Sequence, residues 1–270
     1  MVPGIKIIDL IKQSETFSFS FEVSPGITEE VINNLEVEPK FFAVTWHAKT
    51  HKCKDLDIEP LRKAIFLRSK QQNVLLHLSC DLLRKPYLDD LITLLQAHGI
   101  CNLFIVLGEG YDPSTSDFQN SSELIKYIKE KSGNYFCIGT AGFLESSEER
   151  IIQLKEKIAI GADFIMTQAF FEVSLFSAFL EKCKKADINV PVLPGIYAFE
   201  NYTQLDKFIN LCKVKVSSDV LEKVKNNIDG VELTKNLIRS IYSDLNCTHF
   251  HFFSLNNLGG TIHLIKQLQF

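Results

Sequence analysis

"GADFIMTQAFFE", residues 161–172, is the stretch on which the architecture turns. An apolar run, Phe164-Ile165-Met166, stops at Thr167-Gln168 and resumes at Ala169-Phe170-Phe171. A short run of this kind fits a strand buried on both faces, as in a parallel sheet. Stretches of helical period flank it, at 147–160 and 174–186. The amide of Gln168 at the strand end needs hydrogen-bond partners, because burying it unpaired costs about 1–3 kcal/mol. Either the fold or a ligand supplies them.

Working outward, β-branched and aromatic runs recur at 17–22, 41–45, 73–78, 101–107, 135–139, 163–167, 190–193 and 248–252. Segments of helical period separate them, among them 84–98 and 121–131, with two more, near 217–227 and 231–245, in the last gap. Eight β-then-α units with no Gly/Pro/Ser-rich linker are what a (β/α)8 TIM barrel requires, so one barrel domain over 1–270 is expected. A doubly wound sheet is the alternative, since strand order is not legible locally.

Active sites of this barrel lie at the C-terminal strand ends. Those ends carry Glu22, then Thr45-Trp46-His47, His77, Gly108-Glu109, Gly139-Thr140, Thr167-Gln168, Pro194-Gly195 and Asn256-Asn257. A ring of donors and acceptors around a ligand is the functional reading; bonding of barrel-top backbone is the plain alternative for any one of them.

Composition narrows the chemistry. The chain is 46% hydrophobic and 23% charged with a formal net charge of −4, which favours neither disorder nor a membrane. Its basic residues are dispersed, and Lys182, Lys184 and Lys185 read as a solvated helix face rather than a nucleic-acid footprint. Seven widely spaced cysteines without C-x-x-C read as reduced core residues. "MVPGIKIIDLIKQ" lacks a signal-peptide pattern, and no apolar run approaches the ~20 residues of a membrane span. A cytoplasmic protein is expected.

Glu22, in "FSFEVSP", is flanked by Phe19, Phe21 and Val23; a desolvated carboxyl there would be a general acid near neutral pH. A salt-bridged structural Glu is the alternative. No metal-ligand spacing occurs on the strand ends, so no metal is expected. His249 and His251 in "HFHFF" read as packed core histidines. "LGEG" at 107–110 and "NNLGGT" at 256–261 are weak anion-site signals alone.

Six ordered motifs carry a resemblance: "FSFEVSPGITEE", "FFAVTWHA", "LLHLSC", "LKEKIAIGADFIMTQAFFE", "VPVLPGIYAFENY" and "FHFFSLNN". Together, from about residue 15 to 270, they resemble the catalytic barrel of the methylenetetrahydrofolate reductase family, with "VTWH" and "EKIAIGADFIMTQ" most like the eukaryotic form. The resemblance implies a barrel holding FAD that passes a hydride from NADPH or NADH to 5,10-methylenetetrahydrofolate, giving 5-methyltetrahydrofolate, without the regulatory domain of the eukaryotic enzymes. It implies no nucleic-acid or membrane partner and leaves a homo-oligomer open.

By the same resemblance Glu22 is the acid that assists opening of the folate imidazolidine ring. Gln168, Tyr202 and Glu109 form the expected folate and nicotinamide set. The expected flavin set is Thr45, Trp46, His77, Leu107, Gly108, Glu109, Gly139, Thr140, Arg150 and Lys157, with Lys157 a cation for pyrophosphate.

The chain also departs from the pattern. Val106-Leu107-Gly108-Glu109 replaces Leu-Arg-Gly-Asp, and Thr140 to Ser146 lacks the family's tyrosine and histidine. Arg150 replaces an acidic flavin ligand, and Asn257 replaces the arginine of "LNR". The folate half of the site reads as intact and the flavin half as remodelled. A flavin-free folate-binding or non-catalytic barrel is the competing expectation.

Overall fold

The computed structural model describes residues 2–51, 53–268 and 270. Eight parallel strands close into a barrel in sequence order: β1 Ser18–Val23, β2 Phe42–Val44, β3 Val74–Ser79, β4 Asn102–Val106, β5 Cys137–Gly142, β6 Phe164–Ala169, β7 Val192–Tyr197 and β8 His249–Phe253. Closure comes from β1 pairing with β8, Ser20 opposite His251 and Phe21 opposite Phe252. The fold is the (β/α)8 barrel, not the doubly wound sheet.

Three strands run further than their local signals suggest. β5 continues through Thr140 to Gly142, β6 through Thr167 and Gln168 to Ala169, and β7 through Pro194-Gly195 to Tyr197. A proline inside a strand removes a ladder donor and is tolerated at a bulge. The register of β6 against β7 shifts here: Met166 pairs with Leu193 and Ala169 with Gly195. Thr167 and Gln168 thus stand opposite Pro194 alone.

Local chemistry sets the helix ends. Asn120 Oδ1 accepts from the Glu123 N–H at 3.0 Å, and Asp229 Oδ1 from the Val231 N–H at 2.9 Å. Ser147 caps Glu148–Ile160 through its Oγ, and Gly161 at φ 130° ends that helix. The gap between β7 and β8 holds three helices, not two: Tyr202–Cys212, Ser218–Lys225 and Gly230–Leu245. An unexpected N-terminal helix, Ile7–Lys12, sits at the N-terminal end of the barrel; Asn102 Oδ1 accepts the Ile7 N–H at 2.9 Å and its Nδ2 donates to Ile5 O at 3.1 Å.

The core has two layers. Inside the barrel lie Phe41, Ala43, Leu75, Phe104, Cys137, Phe164, Met166 and Leu193. Between strands and helices lie Phe21, Val23, Phe42, Val44, Leu76, Ile105, Ile138, Phe250 and Phe252. Strand alternation then fixes where each polar residue points. In β1 and β8, Phe19, Phe21, Phe250 and Phe252 face the helices, so Ser18, Ser20 and Glu22, with His249, His251 and Phe253, face the barrel interior. Among the described residues no helix is long and apolar enough to cross a membrane.

Candidate functional site

Interior-facing positions at the C-terminal ends of the strands make up the candidate site. Glu22 stands on β1, Thr45 just past β2, His77 on β3, Gln168 on β6 and Gly195 on β7. Burial pushes the Glu22 carboxyl up to about 7. The flanking Phe19, Phe21 and Val23 do not cause this, as the sequence suggested, because they lie in phase with the helix-facing layer. Enclosure within the mouth does. Among the described residues no side chain or backbone N–H bonds the Glu22 carboxyl, while its backbone carbonyl accepts from Ser254 Oγ at 2.6 Å.

Gln168 is exposed although both neighbours on β6 are buried. The bulge explains it. Gly195 donates its N–H to Thr167 Oγ1 at 2.9 Å instead of to a strand carbonyl, and the extra residue carries Gln168 into the mouth. Its amide makes no hydrogen bond to the described residues, so the fold does not supply the partners that the sequence demanded.

His77 is half-buried with Nε2 sealed and without a hydrogen-bond partner. Burial, then the charge of His47, lowers its pKa to about 3, so the ring is neutral at physiological pH. Thr45 Oγ1 reaches back to Val23 O at 3.5 Å. After β4, Leu107 is exposed, Gly108 takes φ 107°, and Glu109 is exposed. A Cβ on Gly108 would lie 2.9 Å from Asp81 Cβ, so the turn is packed tightly on the β3 loop.

Other expected flavin residues point elsewhere. Trp46, 5% exposed, packs in the outer layer edge-on to Tyr87 at 6.4 Å. Thr140 is fully buried and out of phase with the inward-facing Gly139 and Ala141, so its hydroxyl lies between strand and helices. Gly139 does face inward, one layer down, where a Cβ would sit 2.3 Å from the Phe164 ring. Alternation separates Trp46 and Thr140 from the mouth, and depth in the barrel separates Gly139, although all three adjoin strand ends in sequence. Tyr202 opens its helix, donates to Asp206 Oδ1 at 3.3 Å and lies under Lys225 Nζ at 5.0 Å, which ties it to Ser218–Lys225.

Arg150 and Lys157 share a face of Glu148–Ile160, seven residues apart, roughly 10 Å along the axis. The Arg150 guanidinium covers the Phe143 ring at 5.3 Å. Lys157 has no carboxylate partner among the described residues, and burial lowers its pKa. Two cations without carboxylate partners among the described residues, one of them over the exposed Phe143 ring, suit an anionic dinucleotide with a flat ring.

One element of the mouth had no sequence signal. The Cys212 thiol is pushed up to about 11 by burial and then by the charges of Glu22 and Glu109, groups on β1 and after β4. The end of Tyr202–Cys212 therefore lies within electrostatic reach of both carboxylates. Lys215, just beyond, pairs with Glu145 of the β5 loop at 3.0 Å.

The model of the family described as methylenetetrahydrofolate reductase matches residues 6–269. A protein named methylenetetrahydrofolate reductase (NADH) 1, from Arabidopsis thaliana, is 28% identical over 98% of this chain and 51% of its own. One named 5,10-methylenetetrahydrofolate reductase, from Buchnera aphidicola subsp. Baizongia pistaciae, is 27% identical over 96% of this chain and 94% of its own. The chain spans about half the length of the plant relatives it matches. Among solved structures, an uncharacterized protein from Clostridium thermocellum that binds two copies of 5-methyl-5,6,7,8-tetrahydrofolic acid shares the fold at a TM-score of 0.70, with 13% identity over 96% of this chain and 97% of that one. A match spanning the barrel from its N-terminal helix to the helix after β8 makes this chain a member of the methylenetetrahydrofolate reductase family.

Proposed function

We propose that the chain catalyses flavin-dependent reduction of 5,10-methylenetetrahydrofolate to 5-methyltetrahydrofolate with NADPH or NADH as donor. The observation that carries this reading is a carboxyl of raised pKa, Glu22, at the same barrel end as the unpartnered Gln168 amide, in a chain of this family. Near neutral pH Glu22 keeps its proton on a fraction of molecules and so acts as the general acid for a ring nitrogen of the folate. Gln168 offers a donor and an acceptor that orient the pterin. The names of relatives that specify NADH and NADPH support a pyridine-nucleotide donor.

FAD is the cofactor of this reading. When bound, it would supply the redox chemistry that carries a hydride from the pyridine nucleotide to the folate one-carbon unit. Lys157 and Arg150 would hold its pyrophosphate, Thr45, His77, Gly108 and Glu109 would meet its ring, and Leu107 and Phe143 would cover apolar surface. Seven free cysteines support a reducing compartment, the cytoplasm.

Purified protein is tested for a flavin spectrum, for bleaching by NADPH or NADH, and for formation of 5-methyltetrahydrofolate. The outward turn of Trp46 and Thr140 favours one second reading, a barrel that keeps folate and has lost flavin. Protein that stays colourless with added FAD yet binds folate establishes that reading and overturns the first.

A further inference from the structure

We propose that Ser254 and Asn256, in the loop after β8, are positioning residues for Glu22: they clamp the end of β1 around it and so aim a carboxyl that no hydrogen bond from the described residues directs. The backbone pairing of β1 with β8 ends at Phe21 opposite Phe252. Past that point side chains take over. Ser254, 3% exposed, donates its Oγ proton to Glu22 O at 2.6 Å and accepts the Asn256 N–H at 3.2 Å. Asn256 Oδ1 accepts the Ser24 N–H at 2.8 Å, and its Nδ2 donates to Ser24 Oγ. From the neighbour on the other side of β1, Thr45 donates its N–H to Val23 O at 3.0 Å.

The direction of each bond is fixed. A backbone N–H only donates and a carbonyl only accepts, so Ser254 gives its proton to Glu22 O and Asn256 turns Oδ1 towards Ser24. The loop is also strained. Leu255 and Asn256 both lie in the left-handed region, at φ 48° and 62°. Glycine adopts that region at no steric cost, whereas a leucine there sets its Cβ against a backbone carbonyl oxygen. Such a conformation persists where its surroundings over-determine it, and the bonds to Glu22 and Ser24 do so here. Asparagine suits the second position, because it tolerates the left-handed region and its amide offers one acceptor and one donor side to Ser24.

A general acid must stand within about 2.6–3.2 Å of the atom it protonates, and a displacement of about 1 Å can cost roughly 10²-fold in rate. With its carboxyl unbonded, Glu22 takes its direction from its rotamer and from the backbone of residues 22–24. Ser254 fixes the carbonyl of Glu22 itself, and Asn256 fixes the N–H two residues on. The acid role thus served rests on the function proposed above, whereas the clamp rests on these distances.

Stopped-flow measurement of both half-reactions in the full-length protein tests the proposal, with Ser254→Ala, Asn256→Gly and each combined with Glu22→Gln. Asn256→Gly removes both bonds to Ser24 yet keeps a residue that turns left-handed freely, so it serves if Ser254→Ala fails to fold. Each single variant is expected to slow folate reduction by roughly 10–10²-fold more than flavin reduction, and to add less than about twofold once Glu22 is replaced. Ser254→Thr, which keeps the hydroxyl, should stay close to wild type. Losses that persist in full in the Glu22→Gln background, or no loss in either single variant, overturn the proposal. A second readout needs no flavin: ¹³C NMR of the Glu22 carboxyl, identified by its absence in Glu22→Gln. Wild type should titrate near about 7, and both variants lower, towards the ordinary 4.5, as the released carboxyl gains solvent. An unmoved titration in both overturns the clamp whatever the activity. A moved titration in protein that neither binds flavin nor reduces folate upholds the clamp and sinks the enzyme reading.

Discussion

Gly195 gives its backbone N–H to Thr167 Oγ1 across 2.9 Å, and this bond holds the bulge that aims Gln168 into the barrel mouth. A side-chain acceptor thus stands where the β6–β7 ladder would otherwise supply a carbonyl, next to a proline that cannot donate.

Thr167→Val keeps the shape and removes the acceptor, leaving the Gly195 N–H buried and unpaired. The expected loss is about 1–3 kcal/mol of stability. Thermal unfolding checks it, with Thr167→Ser close to wild type. An unchanged Tm in the valine variant would show that the bulge needs no side-chain bond.

Gly195→Ala is expected to be worse tolerated, since its Cβ would lie 2.4 Å from Thr167 O and 2.5 Å from the Phe253 ring. Overpacking of this kind costs about 1–3 kcal/mol or more. Denaturant unfolding of the alanine variant measures it.

Glu22→Gln is expected to leave flavin reduction by NADPH or NADH nearly unchanged and to slow folate reduction by roughly 10²–10⁴, the scale of a lost general acid. Stopped-flow measurement of the two half-reactions decides. Equal losses in both would remove the acid role.

The raised Glu22 pKa also makes a stability prediction. Between the ordinary value of 4.5 and about 7 the native state holds a proton that the unfolded chain has released. Stability from this group is therefore fully present below about 4.5 and lost as pH rises through about 7. Denaturant melts from pH 4.5 to 7.5 should show wild type losing stability relative to Glu22→Gln, with no further divergence well above pH 7.

Lys157→Ala and Arg150→Ala are each expected to weaken FAD binding, Lys157 more, by roughly 10-fold or above for a charged contact, and added salt should weaken wild type in the same direction. Fluorescence titration of apoprotein at low and high salt measures this. Salt-independent binding would rule out a pyrophosphate held by these cations.

Local periodicity in the sequence carried the eight β/α units, because each strand and helix is specified by a few adjacent residues, and it placed Glu22, Thr45, His77 and Gln168 near strand ends. The family motifs named the same residues. Tertiary structure decided what distant pairing controls. Barrel closure set the phase of each strand, which turned Trp46 and Thr140 outward and sent Ser20, His249 and His251 inward. The β6–β7 register extended both strands past Pro194 and exposed Gln168. The helix ending at Cys212 came within electrostatic reach of Glu22 and Glu109. None of these has a local signature: a strand's alternation says only that two faces differ, and which face meets the site depends on hydrogen bonds to neighbouring strands far away in sequence.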